Sequence, residues 1–356
     1  MIKTILVTGG AGFVGSNLAI KLKNQYNENA RIICLDNLKR RGSELNIERF
    51  RKNGIEFIHG DIRNMEDLEA VGKVNLILEC SAEPSVLAGY GGSPRYLVNT
   101  NLVGTINCLE IARIHQADFI FLSTSRVYPI KLISQLEYVE NETRFELASN
   151  QNQIGVSLKG FNEQLSLEGS RSLYGATKLC SEHIIQEYCD MYNIRAVINR
   201  CAVLTGPWQM GKVDQGVVSL WVARHIFNGE LGYFGYGGNG KQVRDILDVD
   251  DLFRLLLIQL EDFDRHNGII YNVGGGNDVS ISLKELTNIC EQVTKNKIKI
   301  KSVPENRVAD IPYFITDNTK VSKATGWYPE KKPLDIVSEI AKWILDNKSF
   351  LKNLLT

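Results

Sequence analysis

Short apolar runs alternate with longer amphipathic stretches along the first half of the chain. The runs predict strands at residues 4–8, 31–36, 55–59, 76–80, 119–123 and 195–200. Between them, apolar residues recurring every three or four positions predict helices at 13–24, 65–71, 97–115 and 175–191. Strand and helix in alternation imply a parallel sheet with helices on both faces: an α/β, doubly wound, Rossmann-like fold. From about residue 129 to 173 the pattern fails, and polar residues, Asn, Gly and Gln dominate. That stretch reads as a long active-site loop with a short strand pair. Beyond it the elements are sparser: strands at 268–273 and 297–302, helices at 283–294 and 335–346. The expected division is a nucleotide-binding domain from 1–200 plus about 235–265, and a smaller substrate-binding lobe from about 201–234 and 266–356. No internal repeat or low-complexity segment is visible.

Composition narrows the classes. The 356 residues are 44% hydrophobic and 23% charged, with 41 basic and 41 acidic side chains. Zero net charge argues against nucleic acid held by bulk positive charge. No apolar run approaches the ~20 residues that span a bilayer, so no membrane partner is expected. The first strand runs into glycines rather than into a signal-peptide pattern. The seven cysteines, Cys34, Cys80, Cys108, Cys180, Cys189, Cys201 and Cys290, are widely spaced with no CxxC, and the five histidines are scattered. Reduced thiols in a cytoplasmic protein, with no metal site, are the expectation.

The first candidate chemistry is Gly9-Gly10-Ala11-Gly12-Phe13-Val14-Gly15, between a predicted strand and a predicted helix. Gly9 allows a tight turn, Gly12 lets backbone approach a pyrophosphate, and Gly15 lets helix pack on strand. The helix N-terminus then offers N–H donors to the phosphates. Asp36 ends the second strand about twenty residues on, where a carboxylate accepts the ribose hydroxyls and repels a 2′-phosphate. It favours NAD over NADP. The competing cue is Lys39-Arg40-Arg41, either a 2′-phosphate grip or a solvated loop. Asp61, after the third strand, either meets the adenine amino group or caps the next helix.

The second is Tyr174 with Lys178, four apart and so on one helical face. A phenol with pKa near ~10 is a poor base at neutral pH. A neighbouring ammonium and an oxidised nicotinamide lower that pKa, so Tyr174 could take a proton from an alcohol as hydride leaves its carbon. Thr124, at the end of the fifth strand in Ser123-Thr124-Ser125-Arg126-Val127-Tyr128, could donate to the same oxygen, or simply bond its own turn. Trp208, Gln209 and Gln215 carry aromatic and amide groups suited to a sugar ring and a pyrimidine, or to ordinary packing. Trp221 reads as core.

These features, in this order and spacing, resemble the extended short-chain dehydrogenase/reductase family, the NAD-dependent epimerases and dehydratases. The resemblance continues through Arg200-Cys201-Ala202-Val203-Leu204-Thr205-Gly206-Pro207, Gly238-Asn239-Gly240-Lys241-Gln242-Val243-Arg244-Asp245 and Arg307-Val308-Ala309-Asp310. It implies an enzyme that binds NAD and a nucleotide sugar. The implied cofactor contacts are Gly9, Gly12, Phe13, Val14, Asp36, Asn37, Asp61, Ile62, Ser81, Ala82, Asn101, Tyr174, Lys178 and Cys201. Thr124, Tyr174 and Lys178 are the implied catalytic residues. Glu83, Ser125, Arg126, Gln209, Gln215, Arg244, Arg307 and Asp310 are implied for the substrate, with Arg244 on its diphosphate. The helices at 97–115 and 175–191 resemble the pair that forms a four-helix dimer interface, so a homodimer or dimer of dimers is implied.

Finer runs are similar to the CDP-paratose 2-epimerases: His59-Gly60-Asp61-Ile62-Arg63-Asn64, Asn141-Glu142-Thr143-Arg144, Val213-Asp214-Gln215-Gly216 and Gly240-Lys241-Gln242-Val243-Arg244-Asp245. They imply C2 epimerisation of a CDP-linked deoxyhexose. Two departures bear on the sugar. The fourth strand, usually ending His-Leu-Ala in the family, reads Glu79-Cys80-Ser81-Ala82-Glu83, and Val-Tyr-Gly becomes Val127-Tyr128-Pro129. Glu83 either orients a sugar hydroxyl or pairs with a base such as Arg126. A 4-epimerase or a 4,6-dehydratase are the alternatives within the family. The dehydratases usually carry Asp-Glu where Ser125-Arg126 stands. A non-catalytic dinucleotide sensor is the alternative outside it, disfavoured by the Tyr–Lys pair.

Overall fold

The computed structural model of the chain describes residues 4–212 and 215–355. Seven strands form the main sheet: β1 (Thr4–Thr8), β2 (Arg31–Asp36), β3 (Glu56–His59), β4 (Leu76–Glu79), β5 (Asp118–Thr124), β6 (Ala196–Cys201) and β7 (Ile270–Val273). Their spatial order is β7-β6-β5-β4-β1-β2-β3. β1 runs parallel to both β2 and β4, with Ile5 opposite Ile32 and Leu76. β2–β3 and β4–β5 are parallel too. Order reverses between β1 and β4, the switch point at which such sheets take ligands. The central strands are buried almost throughout, as sheets covered on both faces require. Leu6, Ile33, Ile77, Phe119, Phe121 and Ile198 share one core with Leu109 and Ile185 of the covering helices. The fold is α/β and doubly wound, as the alternation predicts.

Helix ends extend the predicted ones by a few residues: Phe13–Tyr26 and Leu173–Tyr192. The predicted helix at 97–115 is present but interrupted. Arg95–Val98 and Gly104–His115 are α-helical, and Asn99–Val103 between them is a π-bulge. Val103, Ile114, Leu173, Met191 and Tyr192, on or beside these two helices, are exposed.

The chain divides into two compact units. The first holds residues to Val127, Leu173–Arg200 and Leu255–Ile270; the second holds Tyr128–Ser172, Cys201–Arg254 and the residues from Tyr271. This differs from the expected division at 128–172 and 235–254, both of which belong to the second unit. The reason is long-range bonding. Phe161 donates its N–H to the Ile315 carbonyl at 2.8 Å, and Glu163 accepts the Asn272 N–H at 2.7 Å. Arg144 closes an ion pair with Glu285 at 2.6 Å. The stretch expected to be mostly loop carries a short helix (Ile130–Ser134) and two small hairpins. Strand Val243–Asp248 is likewise central in a four-stranded sheet with Val203–Thr205, Ser280–Ser282 and Tyr313–Phe314. Helices Val217–Phe227, Leu283–Thr294 and Pro333–Asp346 build the second core through Val222, Leu286, Ile340 and Ile344. A further helix, Lys348–Leu355, lies beyond the last predicted one. Trp221 is core, its indole N–H bonded to Thr287 Oγ1 at 3.0 Å. Among the described residues no helix is long and apolar enough to cross a membrane.

Candidate active site

The turn after β1 is built for close backbone approach. Gly9 has φ +61°, and a Cβ there would lie 2.9 Å from the Cys80 carbonyl and the Ser81 backbone, at the switch point. A Cβ on Gly15 would lie 2.4 Å from the Gly9 carbonyl, so both positions exclude side chains. A Cβ on Gly12 would meet the Gly9 carbonyl at 3.1 Å. Gly12 is the N-cap of helix Phe13–Tyr26, with no side-chain cap and no acidic residue in the first turn. The helix therefore presents free N–H donors and its positive dipole end, with Phe13 and Val14 half-buried beside it. Such a helix end can hold an anionic diphosphate.

Asp36 stands behind the same turn. Oδ2 accepts the Ala11 N–H at 3.0 Å and Oδ1 accepts the Leu38 N–H at 2.8 Å. Burial pushes its carboxyl above the usual range, partly opposed by those backbone bonds. With a further bond from the Gly12 N–H, three of the carboxylate's four lone pairs are used and one is left for a hydroxyl. Asn37 donates to Asp61 Oδ2 at 2.8 Å, and Arg63 pairs with the same carboxylate at 2.6 Å. Burial pushes Asp61 up, but the bonds from Arg63 and Asn37 outweigh it and bring the group to about 2. The helix-cap alternative for Asp61 does not hold: Asn64 caps that helix, accepting from Glu66. The Lys39 ammonium sits over the Tyr96 ring, 2.8 Å from its centroid. Ile62 is in the core, where its side chain blocks any Cβ on Gly104.

The π-bulge gives Asn101 its place. Its amide clamps one residue's backbone, accepting from the Glu83 N–H at 2.7 Å and donating to the Glu83 carbonyl at 3.1 Å. Its freed carbonyl accepts from both Thr105 and Ser181 hydroxyls at 2.9 Å. The loop carrying Ser81, Ala82 and Glu83 is thereby tied to the helix that carries Lys178. The Glu83 carboxylate accepts the Ser85 N–H at 3.4 Å.

Tyr174, Lys178 and Glu182 are spaced by four on helix Leu173–Tyr192 and form one stripe. Tyr174 is half-buried, while Lys178 and Glu182 are buried. Lys178 Nζ lies 3.9 Å from the Phe121 ring centroid and 3.9 Å from Glu79 Oε2. Thr124 Oγ1 accepts the Arg126 N–H at 3.2 Å, the local turn bond. That bond uses a lone pair of the hydroxyl and not its proton, so the turn reading is met without consuming the donor. Ser125 and Arg126 follow, half-buried.

The last member of the stripe, Glu182, forms a buried ion pair that sequence reading missed. Arg200 pairs with Glu182 at 2.7 Å, with 4% and 0% of the two side chains exposed, and Ser123 donates to the same carboxylate. The spacing from Tyr174 could have flagged Glu182; nothing local points to Arg200. Breaking a buried pair leaves a bare charge. Arg200→Met is expected to lower stability by about 3–5 kcal/mol, and Arg200→Met with Glu182→Leu to recover most of it, measured by chemical denaturation.

The remaining residues lie in the second unit. Arg244 bonds Asp310 at 2.8 Å and the Ile311 carbonyl at 2.7 Å. The Arg307 guanidinium stacks 3.6 Å from the Phe234 ring centroid, and its carbonyl accepts the Asp310 N–H at 3.3 Å. Asp310 pairs with the Arg244 guanidinium, while the Arg307 guanidinium lies on an aromatic ring. The Gln209 amide is engaged internally, with the Leu204 carbonyl and the Thr205 and Ser219 hydroxyls at 2.9–3.1 Å. These are the bonds of the packing alternative; they occupy the amide oxygen and leave one N–H of the amide. Gln215 and Lys212 exchange backbone bonds at 2.8 and 3.0 Å; Val213 and Asp214, part of one of the finer runs, lie outside the described residues. Cys201 is buried at the end of β6. Asp248, Asp250 and Glu339 converge as a metal site would, but the Lys331 ammonium lies 2.5–3.1 Å from all three carboxylates and takes the cation's place.

A switch-point glycine turn, a carboxylate behind it and a Tyr–Lys helix are the features of a dinucleotide-dependent enzyme of the doubly wound class. Residues 5–274 match the model of the NAD dependent epimerase/dehydratase family. The chain is 30% identical to the CDP-paratose 2-epimerase of Salmonella typhi, over 95% of this chain and 98% of that one. It is 28% identical to a putative UDP-glucose 4-epimerase of Methanocaldococcus jannaschii, over 96% and 99%. Its fold matches dTDP-glucose 4,6-dehydratase from Bacillus anthracis, solved with NAD, at TM-score 0.76 and 24% identity over 99% of each chain. The chain belongs to the NAD dependent epimerase/dehydratase family, and its cofactor is NAD.

Proposed function

We propose that the protein epimerises C2 of a CDP-linked deoxyhexose, by oxidation to a keto-sugar and re-reduction on the opposite face. The observation that carries the chemistry is the Tyr174–Lys178 stripe in the same unit as the Gly9–Asp36 cradle. The likeness to a CDP-paratose 2-epimerase over nearly the whole chain supports the carbon and the base. Bound NAD supplies a hydride acceptor that later returns the hydride. Gly9, Gly12 and the uncapped helix end hold its diphosphate, and Asp36 its ribose. Tyr174 takes the proton from the sugar hydroxyl, Lys178 stabilises the phenolate, and Thr124 donates to the same oxygen. Tyr174 then keeps that proton until the keto-sugar has turned over. Arg244 and Arg307 supply positive charge for the sugar's diphosphate.

Because relatives include 4-epimerases and 4,6-dehydratases, the test is a substrate panel. The protein is incubated with CDP-, UDP-, GDP- and dTDP-sugars, and products are read by NMR and mass. A C2-inverted CDP-sugar of unchanged mass is expected. Inversion at C4 would make it a 4-epimerase, and loss of water a dehydratase.

A further inference from the structure

Glu79 ends β4 and is fully enclosed. Its Oε2 lies 3.9 Å from Lys178 Nζ and 3.4 Å from the Thr105 hydroxyl, which shares its one proton with the nearer Asn101 carbonyl at 2.9 Å. Its Oε1 has no hydrogen-bond partner among the described residues. The groups facing this carboxylate are Thr105 and the Cys108 thiol from helix Gly104–His115, and Lys178 from the Tyr174 helix. The Phe121 ring of β5 covers the ammonium. The next acid on the Lys178 helix, Glu182, is already closed by Arg200. Lys178 is therefore the cation that answers Glu79. A buried carboxylate is costly unless paired, and so is a buried ammonium. Each accounts for the other.

We propose that Glu79 is a positioning residue for proton transfer: its carboxylate is the internal counter-ion that keeps Lys178 an ammonium and, through it, keeps Tyr174 a phenolate. This rests on the reading of Tyr174 and Lys178 as the proton-transfer pair. Two arrangements of that pair hold the same number of protons: phenolate with ammonium, and phenol with amine. In a buried site the neutral arrangement gains, because neither charge is solvated. A carboxylate packed on the lysine reverses this. It stabilises the ammonium directly, while Tyr174 lies one turn away, ~6 Å along the helix. The counter-ion also serves the middle of the cycle. Once Tyr174 is a neutral phenol, Lys178 has lost the phenolate, and Glu79 remains to hold its charge. Burial pushes Glu79 up to about 7, against the pull of Lys178 and the Thr105 bond. Its charge is thus present above neutrality and lost as pH falls below it.

The test titrates the phenolate absorbance of the NAD-loaded protein, with Tyr174→Phe as the blank, and needs no sugar substrate. Glu79→Gln should raise the Tyr174 midpoint by about one pH unit or more. It should lower kcat at neutral pH about tenfold for every pH unit that the midpoint rises, with KM little changed and the loss easing as pH rises. Glu79→Asp, which keeps the charge, should bring the midpoint most of the way back. A midpoint in Glu79→Gln that stays put or falls overturns the proposal. If that variant does not fold, Glu79→Leu carries the same test. It removes the charge without leaving a buried polar group unpaired, so the midpoint must rise, and an unchanged midpoint overturns the proposal. A wild-type protein with no Tyr174-dependent titration below the ordinary tyrosine range overturns instead the assignment of Tyr174 as base.

Discussion

Tyr174→Phe is expected to lower turnover by several powers of ten, while sugar-nucleotide binding and NAD content change little. Positioned proton transfer contributes about 10²–10⁴-fold, and here the same oxygen is asked to take the proton and to return it. The ring stays, so packing on helix Leu173–Tyr192 is preserved. What is lost is the one atom able to accept. Single-turnover kinetics with the bound cofactor checks this directly, by following nicotinamide reduction after mixing with substrate. A Phe variant with near-wild-type turnover would remove Tyr174 from the mechanism. Lys178→Met should behave differently. Its loss acts through the acidity of Tyr174, so part of the activity should return at high pH, where the phenol ionises unaided.

The sugar's own C2 hydrogen is expected to return to the carbon it left. Two chemistries can invert that carbon: hydride shuttling, or deprotonation beside an existing carbonyl. Deprotonation needs a base on each face of the ring, or one that moves. The first unit offers one stripe, Tyr174-Lys178-Glu182, and its third member is locked to Arg200 and Ser123. Among the described residues of that stripe, Tyr174 is the one proposed to exchange a proton, and the glycine cradle would have no purpose in the deprotonation route. In deuterated water the product should carry no solvent deuterium at C2. Substrate deuterated at C2 should keep its label through many turnovers and should react more slowly. NMR of the product reads both. Solvent deuterium at C2 would defeat the hydride route. A label kept at C4 in a C4-inverted product would retain the route and move its site.

Much of this enzyme can be read from local pattern, because the chemistry it needs is local. β1 and β2 are where the apolar runs place them, since a strand buried on both faces must be continuously apolar. The cradle is legible because φ +61° at Gly9 and the 2.4 Å approach at Gly15 tolerate glycine alone. Tyr174 and Lys178 are legible because four residues make one helical turn.

The parts that resist reading are those whose partners are distant in sequence. Residues 128–172 lack periodicity because their order comes from Ile315, Asn272, Glu285 and Lys241, not from a face of their own. The π-bulge at Asn99–Val103 leaves no mark on an otherwise helical pattern, and the Asn101 carbonyl within it accepts from Thr105 and from Ser181, eighty positions away. Glu79 shows in the sequence only as a departure at a strand end. Its pairing with Lys178, ninety-nine positions away, depends on which helix the sheet folds against. So too for Arg200 and Glu182. The sequence alone determined the main strands, the glycine turn, the cofactor class and the Tyr174–Lys178 spacing, because each follows from backbone geometry or spacing within a few residues. The tertiary structure decided what surrounds the base, because a buried charge is defined by the groups that close around it, and those come from five separate segments of the chain.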